Sequence, residues 1–309
     1  MKNFFKEIIK QICDENSIKY TLLSKDWVIM LEKDGKTRYI CGYKFDLNGH
    51  GIGLIADDKF ALYEILKAKG IPVIEHKIVY NSTNKSYYAV GCNTHEYVKD
   101  YFLKNNNHIV IKPNDGKCGH NVFNVSDINE IDSILDKLFI NNYSVSICPF
   151  YDIKHEHRAI MLDGENKLLY TKCLPVVIGD GKKTIRELLF EFNNSYFKDK
   201  LKDSKYDRIL SKNEKFQYDW KFNLSQGSIA KKLEDEELYE KLINLAKQVC
   251  RETNLKFASV DIIETTNNDL LVLEANSGVT IEKYIVQNPT EYEIAKDIYR
   301  NAIKKLFNN

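Results

Sequence analysis

The chain has 309 residues, and its 45 Lys+Arg nearly balance 44 Asp+Glu, so nothing in the overall charge points to a nucleic-acid partner or a membrane surface. Its seven cysteines, at positions 13, 41, 92, 118, 148, 173 and 250, are odd in number and form no CxxC pair, which indicates neither a disulfide framework nor a zinc site and fits reduced thiols in the cytoplasm. No apolar run approaches the roughly 20 residues of a membrane span, and the length suits one large domain or two to three small ones sharing a core.

Phe4, Phe5, Ile8, Ile9 and Ile12 recur at helical spacing, while Lys6, Glu7 and Lys10 interrupt any apolar run, so the N-terminal stretch reads as an amphipathic helix and not as a signal peptide. Tyr20 to Leu31 and Thr37 to Tyr43 read as strands about the turn Lys33-Asp34-Gly35. Phe45 to Ile55 reads as a Gly-rich loop, with a boundary near Ile55. Asp57-Asp58 caps a helix over Lys59 to Lys69, Gly70 stops it, and Ile71-Pro72-Val73-Ile74 starts a strand. A small α+β unit follows, to about Val145. In it, His108 to Pro113 is a buried strand ending in Lys112, Asn114 to Asn121 is a loop with two glycines, Val122 to Val125 is a returning strand, and Ile128 to Leu138 is a helix. Such a strand, loop and strand can lie over phosphates, because backbone N–H groups and lysines satisfy their charge. The same pattern is also common in ordinary hairpins, so the loop alone decides nothing.

The last unit begins near Ser144. Ser146 to Phe150 is a strand, and His157 to Leu162 pairs with Lys167 to Cys173 about Asp163-Gly164. Val176 to Thr184 leads into a helix over Ile185 to Phe192. Tyr196 to Gln217 is polar and charged, and reads as a surface insertion with one helix that could serve as a lid. A loop over Asn223 to Ser228 and helices over Glu236 to Thr253 and Glu291 to Phe307 complete the unit around the hairpin Phe257 to Gly278. In that hairpin Asp261 interrupts the first apolar run, and Glu274 and Asn276 close the second on one strand face. Pairing about Asn267-Asn268-Asp269 brings three hard oxygen ligands together, a set suited to Mg²⁺ held with nucleotide phosphates. A capped hairpin with edge carboxylates accounts equally well for these residues taken alone.

Together these segments resemble the ATP-grasp carboxylate–amine ligases, closest to the cyanophycin-synthetase, bifunctional glutathione-synthetase and RimK-like branches. The resemblance covers about Ile55 to Ile285. It rests on four signatures in the family's order: Ala56 to Lys59 leading a helix that ends in Gly70-Ile71-Pro72, Ile111-Lys112-Pro113 with its loop, Pro175 to Leu188 (PVVIGDGKKTIREL), and Asp261 with Leu273 to Gly278 (LEANSG). It implies an α+β ATP-grasp fold in which two subdomains, 56–145 and 146–309, hold ATP between them behind a short α/β region over 1–55. It also implies a phosphate loop at 114–121 and a metal hairpin at 257–278.

By the same resemblance Lys59 and Lys112 meet the nucleotide phosphates, and Gly116 and Gly119 let the loop close over them. Cys148, Pro149 and Tyr151 border the adenine through backbone groups, Glu156 holds the ribose hydroxyls, and Lys172 is the basic residue before the Gly-Asp-Gly segment. Asp261, Glu274 and Asn276 hold Mg²⁺, with Mn²⁺ as a substitute. Lys221 and Asn223 stand beside an acyl phosphate, Arg158 is a basic residue near the phosphates, and Lys221 or Arg158 serves as the cation for the tetrahedral intermediate. The implied reaction is ATP-dependent joining of a small-molecule carboxylate to an amine, on amino acids or small peptides, with release of ADP; a homodimer is left open.

The chain also departs from the family pattern. Cys148 stands where many members have Glu, Asn121 replaces a loop glycine, Val279 replaces a common Pro, and the region before Ile55 is shorter than the usual substrate domain. Ser259 lies where D-Ala-D-Ala ligases carry Arg, which leaves Lys221 as the cation for the developing oxyanion. The changes at Cys148, Asn121 and Ser259 motivate a second reading, a regulatory module that binds ATP without ligating; a third is a small-molecule kinase of the same fold.

Overall fold

The computed structural model describes residues 4–81, 95–117 and 119–308. Helix α1 (Phe4–Glu15) turns Phe5, Ile8, Ile9, Ile12 and Cys13 inward, as its spacing predicts. Strands β1 (Lys19–Leu23), β2 (Val28–Lys33), β3 (Lys36–Cys41) and β4 (Lys44–Phe45) form an antiparallel sheet in that order. The single strand expected over Tyr20 to Leu31 is two strands. Ser24, Lys25 and Asp26 all take positive φ and fold the chain back, so that Leu23 pairs with Val28.

The loop expected over Phe45 to Ile55 also differs, because helix α2 (His50–Asp57) occupies much of it. Glycine is a poor helix former, but burial of Ala56 and packing of Ile52 against the same cluster outweigh that propensity. Helix α3 (Lys59–Ala68) starts at Asp58, whose side chain accepts from the Ala61 N–H at 2.8 Å. Ile71 to Ile74 forms only a bridge: Ile74 donates to the Val272 carbonyl and Val272 to the Pro72 carbonyl. Pro72 has no N–H to extend it.

The second sheet has the order β5-β8-β6-β7, from β5 (Lys77–Tyr80), β6 (Ile109–Pro113), β7 (Phe123–Val125) and β8 (Ser144–Pro149). Helices α4 (His95–Lys104) and α5 (Ile131–Phe139) cover one face, with Val98, Phe102 and Leu135 packed in one cluster with Ile109, Ile111 and Ile147. Alternation sends Val110, Lys112, Ser146 and Cys148 to the other face, where Val110 pairs with Cys148 and Lys112 with Ser146. The chain leaves this sheet only after Pro149.

The third sheet is built from β9 (Ile153–Leu162), β10 (Glu165–Cys173), β13 (Ile229–Lys231), β14 (Phe257–Thr265) and β15 (Leu270–Asn276), in the order β13-β10-β9-β14-β15. Between β10 and β13 lie β11 (Val176–Ile178), α6 (Ile185–Phe192), α7 (Asn194–Phe197) and β12 (Lys215–Gln217). Helix α8 (Glu236–Thr253) packs Leu242, Ala246 and Val249 on Ala159, Met161 and Val260. After α9 (Glu282–Gln287), helix α10 (Tyr292–Asn308) joins α1 and the first sheet in a cluster that includes Ile160, Tyr170 and Phe257. Among the described residues no helix is long and apolar enough to cross a membrane.

The insertion over Tyr196 to Gln217 is not the polar surface excursion its composition suggests. Phe197, Leu201, Tyr206 and Leu210 are buried with Val177, Ile185 and Leu189 in a core of their own, closed by pairing of β11 with β12. Gly179 is where this body is tightest: a Cβ there would lie 2.1 Å from the Ser211 carbonyl oxygen and 2.5 Å from the Leu210 Cβ. Gly179→Ala is therefore expected to cost about 1–3 kcal/mol by overpacking. Its signature is protease cleavage within 196–217 at a temperature where the parent chain stays intact; equal resistance would mean that the backbone shifts freely.

Candidate functional site

Three neighbouring strands bring four charged side chains to one face. On β9, Glu156 and Arg158 alternate with His155 and His157, so the two pairs face opposite ways. Asp261 on β14 is the register partner of Arg158 on one side and of Glu274 on the other, and Lys172 on β10 is the partner of Glu156. Arg158 clasps Asp261 with two bonds, Nε to Oδ1 at 2.7 Å and a terminal nitrogen to Oδ2 at 2.6 Å. Lys172 reaches Asp261 Oδ1 at 3.1 Å and also pairs with Glu156. Glu156, Lys172 and Asp261 are all buried.

Burial works to raise the Asp261 carboxyl, but Arg158 and Lys172 outweigh it and hold the group well below the usual carboxylate range. Glu156 goes the other way. Burial, assisted by the Asp261 charge, pushes it up to about 7 against the pull of Lys172. Asn276 donates from Nδ2 to Glu274 Oε1 at 3.1 Å, and both are half-buried. Glu274 has no cation within ion-pair distance among the described residues, whereas Asp261 has two. An anchored carboxylate, a carboxylate without a cation and an amide oxygen thus stand on adjacent strands, a donor set that fits a hard divalent cation.

A second group comes from α3 and β6. The Lys59 ammonium is buried and donates to the carbonyls of Asn114, at 3.2 Å, and Gly116, at 2.7 Å, while Asn114 Oδ1 accepts from the Phe60 N–H. This ties the start of the 114–121 loop to the helix. Burial lowers the Lys59 pKa; the nearby Glu274 charge opposes that shift and Lys112 adds to it. Lys112 is also buried, and its ammonium has neither a hydrogen bond nor an ion pair among the described residues. Within the loop, a Cβ at Gly116 would come within 2.9 Å of the Pro113 Cβ. Gly119 has φ +65° and lies so near Asn223 that a Cβ would fall 2.9 Å from its Nδ2. Asn121 stands in for a glycine by adopting φ 55°. Cys118 lies outside the described residues.

An apolar wall beside these groups spans the cleft between the second and third sheets. Ile74, Val110, Cys148 and Ile263 are buried, with Phe150, Tyr151, Trp220 and Leu273 packed against them. Burial pushes the Cys148 thiol up. Pro149 is half-buried at the end of β8, and the Tyr151 hydroxyl accepts from the Glu75 N–H at 3.2 Å. Lys221 comes alongside this wall rather than to the carboxylates: its Nζ lies 5.8 Å from the centre of the Trp220 ring. Asn223 accepts from the Ser225 N–H at 2.8 Å and so caps the turn beneath Gly119.

Four residues of this region were given no place in the site by the sequence. Asn114 holds Lys59, Trp220 supports Lys221, and Asp57 binds both Lys44, at 2.5 Å, and Lys117, at 3.0 Å. The fourth, His76, is buried with Nδ1 2.7 Å from Ser146 Oγ and, among the described residues, no partner for Nε2. Burial, then the charges of Lys112 and Lys59, hold its pKa well below the usual histidine value. The unfolded chain therefore binds a proton near pH 6.5 that the folded chain refuses, so stability falls as pH drops below about 6.5. His76→Gln should flatten that slope in melting temperatures measured between pH 8 and pH 5. An unchanged slope would assign the acid loss to other groups.

Comparison with known proteins shows what the chain is similar to. Residues 208–301 match the family model of the RimK-like ATP-grasp domain. The cyanophycin synthetase of Trichormus variabilis is 26% identical over 236 residues, covering 68% of this chain and 24% of that protein. The chain thus spans about a quarter of the length of the curated relatives it matches. Among solved structures, the bifunctional glutathione synthetase of Pasteurella multocida superposes with a TM-score of 0.58 at 18% identity, over 99% of this chain and 43% of that one. The RiPP-associated ATP-grasp ligase of Chryseobacterium gregarium superposes at 0.53 and 13% identity, over 98% and 94%. Fold, motif order and the matched segment converge on one statement: the chain has the ATP-grasp fold, and its residues 208–301 resemble the RimK-like ATP-grasp domain.

Proposed function

We propose that the chain is an ATP-dependent carbon–nitrogen ligase that joins the carboxylate of an amino acid or small peptide to an amine and releases ADP. The observation that carries this reading is the approach of unlike charges across the cleft. The buried Lys59 ammonium feels both Lys112 from its own side and Glu274 from the metal hairpin. A nucleotide triphosphate and a divalent cation supply the charges that such an arrangement lacks. The naming of the curated relatives as synthetases supports the same reading.

A carboxylate is a poor electrophile, and phosphorylation by ATP converts it into an acyl phosphate that an amine can attack. Phosphoryl transfer depends on positioning and charge neutralisation more than on covalent help. Lys59, Lys112 and the 116–119 loop would hold the phosphates, the Cys148-Pro149-Tyr151 wall the base, and Glu156 with Lys172 the ribose side. Asp261, Glu274 and Asn276 would hold Mg²⁺, or Mn²⁺ in its place, which when bound neutralises charge on the transferred group. Arg158 donates two hydrogen bonds to Asp261 and so would orient that ligand. Lys221 and Asn223 are left to face the acyl phosphate and the oxyanion formed when the amine attacks.

The test is release of ADP and formation of an amide with a panel of amino acids and dipeptides as carboxylate and amine. With a productive pair in hand, Lys221→Ala is expected to lower kcat by roughly 10²-fold while leaving nucleotide affinity nearly unchanged, because the charge it meets appears mainly in the transition state. A phosphorylated product without an amide would make the protein a kinase, and no ADP release that depends on a second substrate would make it a binding module.

A further inference from the structure

The face of β9 turned away from the cleft carries a second cluster. We propose that His155, His157 and Glu264 form a binding site for a divalent transition metal, with Zn²⁺ the ion its donors suit best. The alternation that points Glu156 and Arg158 to the carboxylate cluster points His155 and His157 to the other side of the sheet. Glu264 on β14 is the register partner of His155, and its neighbour two back, Ile262, is the partner of His157. The three donor atoms all lie within 4.8 Å of one another. Glu264 Oε2 is 2.9 Å from His155 Nδ1 and 3.8 Å from His157 Nε2. A tetrahedral zinc with bonds of 2.0–2.2 Å needs donor separations of about 3.3–3.6 Å, and the two distances straddle that range.

The surroundings are those of a ligand set and not of a plain ion pair. His157 is fully buried, yet among the described residues its Nε2 has no hydrogen-bond partner, and it faces the Glu264 carboxylate. Its other nitrogen, Nδ1, lies 3.0 Å from Thr171 Oγ1, the kind of outer contact that fixes the tautomer of a metal-bound imidazole and leaves Nε2 with its lone pair. Burial, followed by the nearby His155, keeps the His157 pKa down at about 4, so the ring is neutral at physiological pH. Burial works to raise Glu264, but Lys154 and His155 outweigh it and keep it ionised. Lys154 Nζ takes the other carboxylate oxygen, Oε1, at 2.8 Å, and also meets Asn268 Oδ1 at 3.2 Å, which leaves Oε2 to the histidines.

His155 remains part-exposed, which opens a path for the ion and room for a water as fourth ligand. Two imidazoles and one carboxylate select a borderline ion such as Zn²⁺, whereas the all-oxygen set of the cleft suits Mg²⁺. An ion here would pin β9 to β14 directly behind Arg158 and Asp261, so it would stiffen the strands that carry the cleft carboxylates without touching a substrate.

The experiment is calorimetric titration of the metal-free full chain with ZnCl₂ in excess Mg²⁺, so that the cleft is already saturated with its own ion. One equivalent of Zn²⁺ should bind and raise the melting temperature. Loss of an outer contact to a metal ligand already costs 10–100-fold, so removal of a ligand in His155→Ala or Glu264→Gln should weaken binding at least about tenfold. Co²⁺ in place of Zn²⁺ should give the visible spectrum of a nitrogen–oxygen site without a thiolate charge-transfer band. Absence of Zn²⁺ binding, unchanged affinity in both variants, or a thiolate band pointing to the cysteines would each overturn the proposal. The Co²⁺ spectrum needs no variant, so it decides the matter even if a substitution fails to fold.

Discussion

Lys172→Met should lower the stability of the folded chain by about 3–5 kcal/mol at neutral pH, the usual cost of removing one partner from a buried ion network. The thioether fills much of the volume of the lysine stem, so the loss is one of charge and not of packing. Lys172 bridges two buried carboxylates, Glu156 and Asp261, and only Arg158 would remain to compensate them. The effect should depend on pH with a definite sign. Glu156 already titrates near 7, well above its unfolded value, and loss of Lys172 pushes it higher. Between the unfolded and folded values the folded state binds the extra proton, so stability falls as pH rises through that window. The penalty should therefore be smaller at pH 5 than at pH 8. Glu156→Gln added to Lys172→Met should recover much of the loss. The same penalty at both pH values, with no recovery in the double variant, would show that the network is solvated and of little energetic weight.

Glu274→Ala should abolish turnover, by at least about 10³-fold, while leaving the melting temperature close to that of the parent chain. The contrast follows from placement. Asp261 is locked by Arg158 and Lys172 and cannot be removed without orphaning them, whereas Glu274 is half-buried and, among the described residues, accepts only from Asn276. On the function proposed above its loss would remove one of the Mg²⁺ ligands, and a metal ion supplies several kcal/mol of transition-state charge stabilisation, with each 1.36 kcal/mol worth a factor of ten. Kinetics with the productive substrate pair and a thermal melt test the two halves separately. Near-normal turnover would remove Glu274 from the metal set, and a large fall in melting temperature would make it a structural residue.

What could be read from the residues was whatever local chemistry writes into a short window. The cap at Asp58, the helix over Glu236 to Thr253 and the hairpin that sets Asp261 opposite Glu274 all stand where period and turn signals put them. The order of the four motifs was enough to point to the fold family, because each is a contiguous run whose spacing a linear sequence preserves. The tertiary structure decided what depends on distant neighbours. Ser24 to Asp26 turn because Leu23 finds Val28, and the glycine-bearing stretch after Gly49 is helical because Ala56 finds a core. The charged stretch before Gln217 folds inward because a few well-spaced apolar residues meet Val177 and Leu189. The alternation of His155, Glu156, His157 and Arg158 is visible in the sequence, but which face each pair serves is not. Only the strands beside β9 determine that one pair meets Asp261 and Lys172 while the other meets Glu264, because charge and burial at a residue are properties of its neighbours in space and not of its neighbours in the chain.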